Sequence, residues 1–389
     1  MEFSYHNPAK LIFGEGSVSR LGDFASSLGG HALLVTGRSA MAKAGYLQKA
    51  TDLLRSAGLQ VSPFSEIPPN PTLDVVVRGG EIARRAGCDM VVGLGGGSAM
   101  DGAKAIAVAA THDCPMTDFL LPDETGAKRQ PGEATLPIIL VTSTAGTSSE
   151  LTPFAVISLP ETCEKPAMAS PHIYAKVAIE DPELTYTAPR HVTASTGVDV
   201  FCHAAEGFIS TVCNPITDAM ALRAMELVVA HLPQAVNDGH DREARRGMML
   251  ANTFAGYVLA QAGGNVMHAL EHPMSGHHSD LAHGAGLAAV VVAWAELMWR
   301  RMTQKFAAVA RTFGVSEPID EEAAPQAAGA LKLFLGKVGM DVRLRELGIE
   351  RNMLDTLADD AMRYMNHAVA KTPGGASRED LMQILQASY

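Results

Sequence analysis

Five histidines, His268, His272, His277, His278 and His283, fall within sixteen residues of a chain that has 14 in all, and neutral imidazole is the commonest side-chain ligand for a metal ion. His268 and His272 are four residues apart, as are Asp199 and His203 in another segment, so on helices each pair shares one face. One carboxylate with three imidazoles is a usual shell for a divalent ion of borderline hardness. Imidazole suits Fe, Zn, Ni or Cu, and the carboxylate favours the doubly charged state. Spacing gives Asp199, His203, His268 and either His272 or His283, and does not choose the last. Glu206, one turn after His203, is placed to hold a ligand's second ring nitrogen or to cap a neighbouring helix. His277 and His278, after Pro273, are read as solvent-facing loop residues, and Met248, Met249, Met267 and Met274 as core filling.

A second chemistry sits at residues 93–98, Gly-Leu-Gly-Gly-Gly-Ser, which follow an apolar run and open a helical pattern. Backbone N–H groups and the helix dipole can meet a phosphate there with no Cβ in the way. It is not a Walker loop, because Lys104 comes too late and is not followed by Ser or Thr. Asp101 and Lys104, one turn apart, read equally as a surface ion pair and as cofactor-facing groups. The turn at 142–149 carries six hydroxyls in eight residues, more than capping needs and enough to hydrogen-bond ribose and phosphate oxygens.

These residues need a scaffold, and up to about residue 185 the pattern supplies one. The runs 31–36 (HALLVT), 90–93 (MVVG) and 137–142 (PIILVT) read as buried strands, and 47–57, 73–86 and 99–110 as amphipathic helices. Strand and helix in alternation imply a parallel, Rossmann-like sheet with right-handed crossovers and ligands at the strand carboxyl ends. From Thr193 to Ser388 the periodicity is helical, broken at Asn214-Pro215, Asn237-Asp238-Gly239, Gly263-Gly264, Gly314 and Thr372-Pro373-Gly374-Gly375. The expectation is an α/β dinucleotide-binding domain over 1–187 and an all-α metal-binding domain over 188–389, with a cleft between them as the default site.

Composition narrows the partners. A net charge of −11 with no Lys/Arg block argues against nucleic acid or an anionic membrane surface as a partner. The longest apolar stretch, 284–299, contains Glu296 and is too short for a bilayer span, so no membrane association is expected. Five cysteines, an odd number without a C-x-x-C pair, fit a reducing cytoplasm.

Taken together, the chain resembles an iron-containing (group III) alcohol dehydrogenase. The match runs from Asn7-Pro8 and Phe13-Gly14-Glu15-Gly16 through GLGGGSAMDGAK (93–104), STAGTSSE (143–150), DPELT (181–185) and TGVDVFCHAAEGF (196–208) to HALEHPMSG (268–276), HGAG (283–286) and the closing REDLMQIL, effectively the whole chain. The resemblance implies that Asp199, His203, His268 and His283 hold the metal, Fe²⁺ or alternatively Zn²⁺, and that His272 lies beside substrate and relays a proton. It implies a cofactor site with Gly96, Gly97, Ser98, Ser143 and Thr144, and with Asn70, Thr152, Phe154, Lys165 and Leu184 at matching positions. A homodimer, paired through the N-terminal strand region, is implied as well.

Two positions depart from the family pattern. The interval from His272 to His283 is one residue longer than the common spacing. Gly37 stands where NAD-preferring relatives often carry Asp, and Arg38 follows it, so nothing repels a 2′-phosphate and a cation is available to attract one, which favours NADP(H) over NAD(H). The expected reaction is hydride transfer between nicotinamide and a small primary alcohol or its aldehyde, with the metal as Lewis acid. Phe154, Phe254, Tyr257 and Trp294 are candidates for setting substrate size. The rival readings are a zinc-dependent glycerol-type polyol dehydrogenase and a carbon–oxygen lyase of the dehydroquinate synthase kind.

Overall fold

The computed structural model describes residues 2–122 and 126–389. It divides into two compact units that do not follow chain order throughout: Asn7–Thr144 with Ser148–Thr187, and Ala188–Tyr389 with the N-terminal segment to His6 and Ala145–Thr147.

The first unit is built on a six-stranded, wholly parallel sheet. Its strands are β1 (Lys10–Phe13), β2 (His31–Gly37), β3 (Gln60–Ile67), β4 (Met90–Gly95), β5 (Ile138–Thr142) and β8 (Val177–Glu180), in the order β1-β8-β5-β4-β2-β3. The remaining strands, β6 (Phe154–Val156) and β7 (Ala167–Ala169), form a separate antiparallel hairpin. The central strands are apolar at successive residues because both faces are covered. Leu33, Val35, Val91 and Leu140 enter the core beneath the Leu73–Ala86 and Gly97–Ala109 helices, while Leu34, Val92, Leu94 and Val141 enter the opposite core with Leu21, Ala50 and Leu54.

Strand order reverses between β2 and β4, the next strand after β2 lying on one side and the next after β4 on the other. A parallel sheet opens a crevice at the carboxyl ends of such a strand pair. Gly37 and Gly95 are the residues at those two ends.

The second unit is all helix among the described residues. The Arg190–Ile209 helix runs through its middle, buried on nearly every side from Thr193 to Ile209. It packs against the Pro215–Asn237, Arg242–Ala262 and His283–Met298 helices. Local chemistry sets the boundaries: Asn214 and Thr217 form a capping box with Pro215 in the first turn, Asp241 caps through the N–H of Ala244, and Ser377 pairs with Asp380. Met248, Met249, Met267 and Met274 are buried in the helices, as expected. Trp294 is a core residue instead of a candidate for sizing substrate: it is fully buried, with its ring 5.2 Å from that of Phe306. Among the described residues no helix is long and apolar enough to cross a membrane.

Candidate metal centre and phosphate cradle

Three helices bring the metal-type side chains of the second unit together. Asp199 and His203 stand one turn apart on the Arg190–Ile209 helix, His268 lies in the first turn of the Val266–His277 helix, and His283 opens the His283–Met298 helix. A single oxygen, Asp199 Oδ1, is the common point: the Nε2 atoms of His203, His268 and His283 lie 3.5, 3.5 and 3.7 Å from it. Donors about 2.1 Å from a tetrahedral ion are separated from one another by roughly 3.4 Å. The three distances from Asp199 Oδ1 are near that separation, and Asp199 Oδ1 and His268 Nε2 are buried without a hydrogen-bond partner, as donors set aside for one small dication would be. The donor atoms of Asp199, His268 and His283 all lie within 4.8 Å of one another.

Electrostatics at the cluster follow from burial and proximity. Burial alone would raise the Asp199 carboxyl, but His203, His283 and His268 outweigh it and hold it well below the usual carboxylate range. Burial pushes His203 down to about 4. Burial works in the same direction on His268, but Glu206 and Asp199 override it and raise the imidazole to about 10. Glu206 does both things its position allowed. Its Oε2 meets His268 Nδ1 at 2.5 Å, and its two oxygens accept from the N–H groups of Asn265 and Met267 at the start of the Val266–His277 helix.

His272 is buried beside the cluster, its ring 5.8 Å from that of His283 and nearly perpendicular to it. His277 and His278 are not on a solvent-facing loop. His277 is the last residue of its helix, bonded through Nε2 to Asp360 at 2.9 Å, and both residues are partly buried. Pro273 is accommodated inside that helix, which is why the chain does not turn where a proline signal places a loop.

The phosphate-type residues belong to the first unit. Gly96 is the N-cap of the Gly97–Ala109 helix and makes no side-chain cap, so the first N–H groups of that helix, at Gly97 and Ser98, are left without one at the end of β4. A Cβ on Gly96 would stand 3.3 Å from Thr144 Oγ1, so the hydroxyl turn lies directly against the glycine turn. Ser143 N–H bonds to the Gly95 carbonyl at 2.9 Å, and Asn70, at φ 56°, donates its N–H to Ser98 Oγ at 3.2 Å. Asn70, Gly96, Gly97, Ser98, Ser143 and Thr144 thus form one cradle.

The helix behind the cradle holds the next segment. Lys104 Nζ donates to the carbonyls of Thr152 and Phe154 at 2.9 and 2.6 Å, and Asp101 accepts from Ser149 Oγ at 2.6 Å and the Val156 N–H at 2.9 Å. Lys104 is completely buried, 3.9 Å from Asp101, which overturns the reading of the two as a surface pair. Lys165, also buried, is close enough to draw the Asp101 carboxyl down, though burial prevails and raises it. Leu184 sits in the apolar core on one side of the sheet.

Burial pushes the Lys104 ammonium down to about 8, against the pull of Asp101 and Glu150. The folded value lies below that of the unfolded chain, so the unfolded chain binds the extra proton and stability from this group increases as pH rises through 8. Between pH 7 and 9.5 the unfolding free energy of wild type should gain ~2 kcal/mol over that of Lys104→Met. Denaturant melts at both pH values measure the gap, and a gap that does not change with pH would show that the buried amine keeps its proton.

Comparison with known proteins places this architecture. A family model described as iron-containing alcohol dehydrogenase matches residues 8–182, and its companion, described as the C-terminal part of the Fe-containing alcohol dehydrogenase family, matches 193–389. Choline dehydrogenase of Bacillus subtilis (strain 168) is 35% identical over 364 residues, 92% of this chain and 89% of that protein. The crystal structure of an archaeal halo-thermophilic alcohol dehydrogenase from a Red Sea brine pool matches with a TM-score of 0.96 at 38% identity, covering 100% of this chain and 99% of the other. NADH-dependent butanol dehydrogenase A of Thermotoga maritima matches with a TM-score of 0.91 at 29% identity, covering 100% and 98%. These relatives favour neither the lyase nor the glycerol-type reading. With a parallel-sheet unit, a helical unit carrying an Asp and His cluster, and family models over both, the chain belongs to the iron-containing alcohol dehydrogenase family.

Proposed function

We propose that the protein transfers hydride between a nicotinamide dinucleotide and a small primary alcohol or its aldehyde, with a divalent metal, Fe²⁺ or Zn²⁺, held by Asp199, His203, His268 and His283. The observation that carries the reading is the approach of three Nε2 atoms to within 3.7 Å of one buried Asp199 oxygen, with the donor atoms of Asp199, His268 and His283 all within 4.8 Å of one another. When bound, the ion supplies Lewis acidity and the dinucleotide supplies or accepts the hydride. The protein's own part is to bind, orient and exclude water. The uncapped N–H groups of Gly97 and Ser98 and the hydroxyls of Ser143 and Thr144 take the dinucleotide phosphates and ribose, with Asn70, Thr152, Phe154, Lys165 and Leu184 completing that site. His272, edge-on to His283, is the group proposed to move the proton of the alcohol hydroxyl.

The preferred dinucleotide is NADP(H). β2 ends at Gly37, which has no carboxylate to hold or repel at the adenosine ribose, and Arg38 follows it, exposed. Glu66, one residue before the register partner of Gly37, is engaged by two N–H groups of Arg78. The reading extends to a homodimer paired through the N-terminal strand region, where β1 is a sheet edge, and to the cytoplasm, which suits five free cysteines.

One experiment tests the proposal: anaerobic purification, parallel loading with Fe²⁺ or Zn²⁺, and initial rates of NADPH and NADH oxidation with a panel of short aldehydes. Metal-dependent oxidation is expected, with kcat/KM for NADPH higher on the order of tenfold, the effect of about one charge-assisted hydrogen bond. Oxidation that ignores the metal would refute the centre, and a clear NADH preference would refute the cofactor choice.

A further inference from the structure

We infer that Glu206 and Glu271, neither of them placed to touch the ion, set how tightly the centre holds it by fixing His268 and His283 from behind; the inference rests on the metal-centre reading above. Both carboxylates are completely buried. Glu206, two turns along the helix from Asp199, meets Nδ1 of His268, and Glu271 meets Nδ1 of His283. In each case the ring is gripped at the nitrogen opposite the one that faces Asp199. A carboxylate at Nδ1 keeps the proton there, leaves the Nε2 lone pair for the metal, fixes the plane of the ring and raises its basicity.

The supports are themselves locked. Glu206 is held by the Asn265 and Met267 N–H groups, and Glu271 by the hydroxyl of Ser275, one turn on in the same helix. Each pair also has a glycine at the point where any side chain would strike it. A Cβ on Gly264 would lie 3.1 Å from His268 Cγ and 3.2 Å from Glu206 Oε2, and a Cβ on Gly286 would lie 2.9 Å from Glu271 Cγ. His203 has no such arrangement. Its Nδ1 is buried without a hydrogen-bond partner, and its ring stacks on His268 at 4.5 Å. The centre is asymmetric, with two histidines positioned by carboxylates and a third positioned by packing.

Glutamine tests the idea because it keeps the shape and removes the charge. An amide presents one acceptor and one donor where the carboxylate presents two acceptors; at 206 it cannot serve the imidazole and both backbone N–H groups, and at 271 it keeps both partners only by donating to the Ser275 hydroxyl, so in each case the imidazole loses its charged acceptor. Anaerobic competition of Zn²⁺ and Co²⁺ against a chromophoric chelator should show Glu206→Gln and Glu271→Gln each binding about 10–100-fold more weakly than wild type. The visible bands of bound Co²⁺ should shift, and the weaker binding should persist at temperatures where the metal-free variant is fully folded, even though the buried N–H groups that lose an acceptor cost it some melting temperature. A purely structural role would lower that melting temperature and leave the cobalt spectrum of the folded protein unchanged.

His268→Ala separates the two levels of inference. If it binds metal as wild type does, the metal centre is misassigned. If it loses metal while both glutamine variants keep wild-type affinity and cobalt spectrum, the centre stands and the positioning role is overturned. Should the glutamine variants fail to fold, Ser275→Ala, which leaves every carboxylate in place, is expected to weaken binding about fivefold; unchanged affinity there overturns the role of Glu271.

Discussion

Asp199→Asn is expected to empty the centre and to lower turnover with aldehyde by about three orders of magnitude or more, a loss of several kcal/mol of Lewis-acid stabilisation at about 1.4 kcal/mol per tenfold, while the protein stays folded. All three Nε2 atoms gather near Asp199 Oδ1, and among the described residues of the proposed shell it is the carboxylate on their side, since Glu206 and Glu271 lie behind the imidazoles. An amide of the same shape turns the shell into a neutral one around a dication. Metal analysis after gel filtration and kcat with saturating dinucleotide measure the two effects, and equilibrium dialysis with NADPH should show little change, because the cradle belongs to the other unit. Retention of stoichiometric metal and of more than a tenth of wild-type kcat would remove Asp199 from the centre.

Gly284→Ala is expected to be the most damaging methyl group that can be added to this helical unit. A Cβ there would stand 1.9 Å from the carbonyl oxygen of Ser195 and 2.6 Å from its carbon, both backbone atoms of a buried helix that no rotamer change can move aside. Added atoms in a close-packed core commonly cost about 1–3 kcal/mol where side chains can give way, and a collision with fixed backbone belongs at the upper end or above it. Gly284 follows His283 directly, so a shift that relieves the clash also moves the proposed ligand and strains its bond to Glu271. Thermal melting should show a loss of several degrees even without metal, together with a metal affinity at least as poor as that of the glutamine variants. An alanine variant with wild-type melting and metal content would show that the two helices separate easily, contrary to the packing described.

How much of this is legible in the chain depends on where each residue ends up. Strands β2, β4 and β5 are readable because, covered on both faces, they are unbroken apolar runs. β3 is not: it is a sheet edge with Pro63 inside it and a polar outer side, so it lacks both the alternation and the apolar run of a strand. β1 and β8 have only four residues each, too few to register as a pattern. Helix ends in the second unit are read well wherever a cap marks them, as at Asn214-Pro215. The proline of the Val266–His277 helix sends the wrong signal, since it stands inside the helix where a proline is read as a break.

At the site, spacing reveals which residues share a helix face but not which faces meet. Asp199 with His203 and His268 with His272 are both visible as pairs, yet only the fold turns His283 toward Asp199 and His272 to its side. Glu206 is legible as a support because it lies one turn from a ligand. Glu271 is hidden: it sits between two histidines of its own helix and serves a third on the next one. Lys104 misleads for the opposite reason, since an i, i+3 pair of opposite charges looks like a surface feature, whereas Lys104 is here fully buried and holds the Thr152 and Phe154 carbonyls.

The donors of the proposed metal centre come from three helices, and the outermost of them, Asp199 and His283, bracket a long stretch of chain that includes the whole of the Pro215–Asn237 and Arg242–Ala262 hairpin. An ion held there is a cross-link that the unfolded chain has no means of keeping. Its stabilising effect grows by about 1.4 kcal/mol for each tenfold rise of free metal above the dissociation constant. On the proposed metal centre, the stability of the helical unit would depend on the free metal concentration. On that reading its lifetime against unfolding and proteolysis would follow how much metal is left free, so scarcity of the ion would lower the amount of protein as well as its activity.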